Sequence, residues 1–146
     1  MKKILASVDF SNATSDVIAS AAEMAKAFGA ELHLLHVIEP EPTYTAYGFT
    51  PEEFPAINTF HAETRTRAQK TLNEVASVFP AAISHLENGS PLHVLAEKVK
   101  EIGADLVILG SHGHGIVASL LLGSVAEGMI RKSMVPILVI PAGKVN

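Results

Sequence analysis

The sequence predicts an α/β fold in which one domain, residues 1–146, holds a parallel sheet covered by helices on both faces. Three observations predict it. Short apolar runs rich in branched residues alternate with longer stretches whose apolar residues recur every three or four positions. The run Glu31-Leu-His-Leu-Leu-His-Val-Ile38 is nearly all apolar on both faces, as a central parallel strand should be. At 146 residues, 48% of them hydrophobic and only 18% charged, the chain is long and apolar enough to bury a core of its own. That core must be aliphatic, because the chain has no Trp, six Phe and two Tyr.

Each element follows in order. Residues 4–8 read as the first strand, ending at Asp9. Ser11, Asn12 and Thr14 supply cap residues for a helix whose stripe is Val17, Ile18, Ala21, Ala22, Ala25 and Phe28, closed by Gly29. Residues 31–38 form the second strand. Residues 39–56 carry four prolines, which forbid a regular element there. A helix from Ile57 buries Ala68, Leu72, Val75, Ala76 and Phe79. Residues 81–86 are a weaker third strand, closed by Asn88-Gly89. Ser90 is placed to cap the next helix, with Pro91 at its first position and Leu92, Leu95, Val99 and Ile102 on its buried side. Residues 105–109 are a strand, 124–132 a helix and 136–140 a last strand.

Composition removes several functions. A net charge of −4 speaks against a nucleic-acid coat, which needs a basic face. Without cysteine there are no disulfides, no thiolate zinc sites and no cysteine nucleophile. The opening Met1-Lys-Lys-Ile-Leu-Ala imitates a signal peptide only until Asp9, and no run reaches the ~20 apolar residues of a membrane span. A cytoplasmic protein that engages neither membrane nor nucleic acid is the expectation.

The most informative stretch runs from Gly110 to Ser124, Gly-Ser-His-Gly-His-Gly-Ile-Val-Ala-Ser-Leu-Leu-Leu-Gly-Ser. It follows a buried strand and leads into a helix opening on Ser124. Glycine brings backbone N–H groups close to a ligand, and a helix N-terminus adds free N–H groups and positive dipole. The combination is a candidate phosphate cradle. In open parallel sheets ligands sit beyond the carboxyl ends of the strands, where strand order reverses. If the first and fourth strands are neighbours, Asp9 and Gly110 meet there.

The spacing G-x2-G-x9-G-[ST], here Gly110, Gly113, Gly123 and Ser124, resembles the nucleotide-binding signature of the universal stress protein family. So do the opening Lys3-Ile-Leu-Ala-Ser-Val-Asp9, Leu35-His-Val-Ile38, Asp105-Leu-Val-Ile-Leu-Gly110, Gly123-Ser-Val-Ala-Glu127 and Pro136-Ile-Leu-Val139. The resemblance covers essentially the whole chain. It implies a five-stranded sheet of order 3-2-1-4-5 that binds ATP, ADP or AMP, with Mg²⁺ held through the phosphates. Carried over by position, Ser7, Val8 and Asp9 would lie along adenine and ribose, and Val37 or Ile38 would offer backbone bonds to the base. Leu109 and Gly110 would meet the ribose. Gly113, Gly123, Ser124 and Val125 would hold the phosphates, with His112 and His114 in the same loop. Many members carry Arg or Lys after the second glycine, whereas here His114 stands there. A neutral imidazole gives a triphosphate less charge than a permanent cation.

Plainer readings stand beside these. Asp9 could cap the first helix instead of touching ligand. His33 and His36 project from opposite faces of a strand and cannot share a metal ion; His112 and His114 lack a third ligand, and no metal site is expected. No catalytic residue is assigned. Ser111 and His112, adjacent in sequence, are expected to point in different directions, and neither a G-x-S-x-G elbow nor a P-loop is present. Residues 39–56 hold Tyr44, Tyr47, Phe49 and Phe54, half of the aromatic residues, and suggest a lid or subunit contact. An apolar edge strand at 135–140 suggests a homodimer. The functional expectation is an ATP-binding stress-response module whose nucleotide biases loop conformation and so the choice of a regulatory protein partner. A true ATPase using Asp9 or His112 as base, and a nucleotide-free scaffold, are the alternatives.

Overall fold

A computed structural model of the protein describes residues 1–40, 55–112 and 122–141, with the backbone alone at 55–58. Gly113, His114, most of the 39–56 segment and residues 142–146 lie outside the described residues. The elements are β1 (Lys3–Ser7), α1 (Thr14–Phe28), β2 (Glu31–Ile38), α2 (Pro55–Ala76), β3 (Ile83–Asn88), α3 (Pro91–Ile102), β4 (Leu106–Gly110), α4 (Ser124–Lys132) and β5 (Ile137–Ile140). The five strands form one all-parallel sheet of order β3-β2-β1-β4-β5. The first and fourth strands are therefore neighbours.

The sheet alternates its side chains between two cores. Ile4, Ala6, Leu32, Leu34, Leu106 and Ile108 meet Val17, Ile18, Ala21 and Ala25 of α1 and Leu72 of α2. Leu5, Leu35, Val37, Val107 and Leu109 meet Leu95 of α3 and Ala126 and Met129 of α4. So α1 and α2 cover one face, α3 and α4 the other. On the second face α3 and α4 approach closely at Gly128, where an added Cβ would lie 2.4 Å from Leu92 Cδ2.

Boundaries differ from the sequence expectation where side chains take over backbone bonds. Helix α1 starts at Thr14 with Ala13 as its N-cap and no side-chain cap bond; the Ser11 hydroxyl only reaches the Ala13 N–H, at 3.4 Å. The expected capping by Ser11 or Asn12 is not made. Ser90 does stand at the N-cap of α3 with Pro91 following, though its side chain makes no cap bond. The α1 and α3 helices end on left-handed Gly29 and Gly103, the position where glycine carries no steric cost. Helix α2 begins at Pro55, inside the segment expected to be irregular, because proline is tolerated in a first turn. It ends at Ala76: the Ser77 hydroxyl donates to Glu74 O, and Pro80 keeps Phe79 out of helical backbone. The Ala82 N–H donates to Phe79 O at 2.8 Å, so β3 starts two residues later than expected. Before β4, the Asp105 carboxylate accepts the Lys2 and Lys3 N–H groups at 2.8 and 2.9 Å, and these two bonds hold its pKa below the usual carboxylate value.

Candidate functional site

The central strand stops early. Ser7 ends β1 opposite Leu35, while β2 continues to Ile38 and β4 to Gly110. A cleft of about 660 Å³ fills the resulting notch. It lies where strand order reverses, between β1 and β4. Its walls bring together Ser7, Val8, Asp9, Val37, Ile38, Leu109, Gly110, His112, Gly123, Ser124 and Val125.

The α4 side of the cleft is mostly backbone. Gly123 is the N-cap of α4 in extended conformation, with no side-chain cap bond. Its N–H donates to Ser111 O, and its carbonyl accepts the first helical bond, from Glu127 N–H at 2.9 Å. The N–H groups of Ser124, Val125 and Ala126 are thus left without helical acceptors, at the positive end of the helix dipole. Ser111 N–H donates to Ile140 O at 2.8 Å, which ties this corner to the end of β5. Gly110 serves packing: a Cβ there would sit 3.3 Å from Ala13 Cβ and 3.8 Å from Val17 Cγ2, so its bareness lets α1 close on β4.

Two polar groups at the corner differ from expectation. Ser111 and His112 do meet: Ser111 Oγ and His112 Nδ1 are 2.8 Å apart, because a bend after β4 turns both side chains to one side. His112 Nε2 is buried and has no hydrogen-bond partner among the described residues. Asp9 does not cap α1. Its Oδ1 accepts the Ser11 N–H at 2.9 Å, an Asx-type turn, while the residue lines the cleft.

The opposite wall was not foreseen. Phe10 from the loop before α1, Thr14 and Val17 from the start of α1, His36 from β2, and Phe60, Thr64, Arg67 and Thr71 from α2 line it. Phe10 holds φ at 62°, the one positive φ outside glycine among the described residues. Its ring stacks on His36, with centroids 3.8 Å apart and planes at 20°. His36 Nδ1 lies 2.8 Å from Val8 O; a carbonyl only accepts, so that nitrogen carries the proton. Thr14 is 7% exposed, and its hydroxyl has no partner among the described residues. Arg67 is the sole Lys or Arg on the described walls, is exposed, and forms no ion pair with a described residue. The spacing 60, 64, 67 and 71 is helical and was visible in the sequence, but only the apolar stripe of α2 was read. The strain at Phe10 had no sequence signal, since bulky residues rarely adopt that backbone.

Away from the cleft, His33 joins Glu31 through Nε2 and His85 through Nδ1, the latter at 2.8 Å with stacked rings. Burial, then the charges of Lys98 and His33, push the His85 pKa below its ordinary 6.5. Buried Lys98 is held by Glu87 at 3.1 Å and Glu101 at 3.0 Å. Among the described residues no group of three His, Asp or Glu side chains could hold a metal ion. No helix there is long and apolar enough to cross a membrane.

Chemically, the cleft offers amide donors on one side and aromatic and hydroxyl groups on the other, with apolar Val8, Val37 and Leu109 between. A parallel sheet of order 3-2-1-4-5 with its cleft at the switch point defines an α/β protein of the adenine-nucleotide hydrolase-like architecture. Within that class the chain belongs to the universal stress protein family, which it matches over residues 1–141. It is 34% identical over 143 residues to universal stress protein A homolog 1 of Coxiella burnetii, covering 95% of each chain. It is similar to the solved structure of hypothetical protein MJ0577, with TM-score 0.76 and 28% identity over 99% of this chain and 98% of that one. A universal stress protein from Archaeoglobus fulgidus in complex with dAMP shares the fold, with TM-score 0.65 and 20% identity over 96% and 97% of the two chains.

Proposed function

We propose that the cleft binds an adenine nucleotide, ATP or its di- or monophosphate, and that the protein is a nucleotide-dependent regulatory module with at most slow hydrolysis. The observation that carries this is the uncapped start of α4, whose Ser124, Val125 and Ala126 amides lie unpaired by the helix at the switch point of the sheet. The fold neighbour solved with dAMP supports an adenine ligand. In this reading Gly113, Gly123, Ser124 and Val125 take the phosphates, with His112 and His114 beside them. Leu109 and Gly110 take the ribose. Ser7, Val8, Asp9 and the backbone of Val37 or Ile38 border the base and ribose.

The residues present fit a phosphate-borne cation. Mg²⁺ takes few protein ligands besides phosphate oxygens and water, and the carboxylates on the described walls are Asp9 and Glu39. When bound, the ion would offset phosphate charge. His112 and Asp9 are the candidates for a general base in this reading, with His36 and Glu39 the other described wall groups of that chemistry.

Denaturing the purified protein and identifying the small molecules released tests the reading. An adenine nucleotide, or micromolar ATP binding by a ligand-free preparation, is expected; an empty protein that ignores millimolar ATP would overturn it.

A homodimer through β5 belongs to the same proposal. That strand is a sheet edge, and Met134 and Ile130 beside it are 94% and 50% exposed. Light scattering at micromolar concentration should give twice the chain mass of 15.5 kDa; a monomer would count against it.

A further inference from the structure

We infer that Arg67 contacts the base end of the bound nucleotide and makes the cleft a purine site that accepts guanine as well as adenine. This rests on the preceding proposal that the phosphates lie at α4. Helices α4 and α2 stand on opposite faces of the sheet, α4 over Leu35 and Leu109, α2 over Leu34. A nucleotide anchored by its phosphates at Ser124 therefore crosses the strand ends and directs its base toward α2.

The α2 wall is dressed for such a base. Helix α2 carries two stripes. Leu72 and Val75 face the core, whereas Phe60, Thr64, Arg67 and Thr71 face the cleft, where core packing asks nothing of them. Long helical side chains lean toward the N-terminus of their own helix. In α2 that direction leads to the cleft end, since the helix follows the carboxyl end of β2. Arg67 has no partner among the described residues to hold it elsewhere. The buried Thr14 hydroxyl, also without a partner among the described residues, is a second polar group on this wall that a ligand atom would satisfy. Phe10, kept in strained backbone and stacked on His36, and Phe60 supply aromatic surface for a planar ring.

The direction of preference follows from donor chemistry. A guanidinium has five N–H donors and no acceptor. Guanine presents O6 and N7 as adjacent acceptors that fit the arginine fork. Adenine presents N7 beside an amino donor, and pyrimidines have no N7 at all. Arg67 thus favours purines and does not exclude guanine.

Calorimetric titration of wild type and Arg67→Ala with ATP, ADP, AMP, GTP and CTP tests this. Wild type is expected to bind GTP within about tenfold of ATP and CTP far more weakly, the scale of one bidentate base contact. Arg67→Ala should weaken ATP, ADP and AMP by one common factor and GTP by more, about tenfold or above. Arg67→Lys, which keeps the charge but loses the fork, should recover little of the GTP affinity. A loss that grows from AMP to ATP would make Arg67 a phosphate cation and overturn the inference. So would rejection of GTP by wild type, or an Arg67→Ala variant that binds every ligand as wild type does; both leave the nucleotide-binding proposal standing. A wild type that binds no nucleotide overturns both.

Discussion

The two walls of the cleft are made of different material. At the α4 wall the groups that matter are backbone: three amides and a glycine N-cap whose N–H is fixed by the Ser111 carbonyl. At the α2 wall they are side chains: Arg67, Thr14, Phe10 and Phe60. A backbone wall is specified by fold and by one or two glycines, so it tolerates change in most side chains and recognises charge. A side-chain wall can change with single substitutions, so it is where one chain can differ from another in what it accepts.

The sharpest way to break this comparison is Gly123→Val. The backbone at Gly123, φ −65° and ψ 158°, suits any residue, so the fold should persist while the new side chain blocks approach to the amides. Nucleotide affinity should fall by about 100-fold, about 2.7 kcal/mol, read by calorimetry beside an unchanged unfolding midpoint. Arg67→Ala follows, at about tenfold for GTP and less for ATP, ADP and AMP, with the smaller loss independent of phosphate number. Thr14→Val sharpens the contrast from the other side. Removing a buried hydroxyl that has no partner among the described residues should stabilise the ligand-free protein by about 1 kcal/mol in denaturant titration and weaken nucleotide binding a few-fold. A purely structural hydroxyl would leave binding unchanged.

The smallest effect concerns neither wall. His85 has a lowered pKa in the folded protein, so the unfolded chain binds its proton first. The stability it supports is complete above pH 6.5 and falls as pH drops through the folded value. His85→Asn should flatten that acid slope without altering the ratio of ATP to GTP affinity.

How much of this was legible in the sequence follows the same division. β2 was readable because a strand buried on both faces must be mostly apolar, and Leu32, Leu34 and Leu35 are buried, with His33 buried among them against Glu31 and His85. The α4 corner was readable because glycine spacing reports on backbone. The edges of β3 and α2 were not, since Ser77, Pro80 and the turn at Phe79 set them through local bonds that periodicity does not show. The cap of α1 failed for the same reason: Asp9 and Ser11 bond their own loop rather than the helix. The α2 wall was missed because its residues converge only after α1 and α2 pack on one face of the sheet.

The most direct test of the two-walled cleft is a structure determined with ATP and magnesium. The account predicts phosphate oxygens within hydrogen-bond distance of the Ser124 to Ala126 amides and the base turned toward Arg67 and Phe10. Density for the nucleotide elsewhere, or a cleft holding only water at saturating ATP, would contradict it.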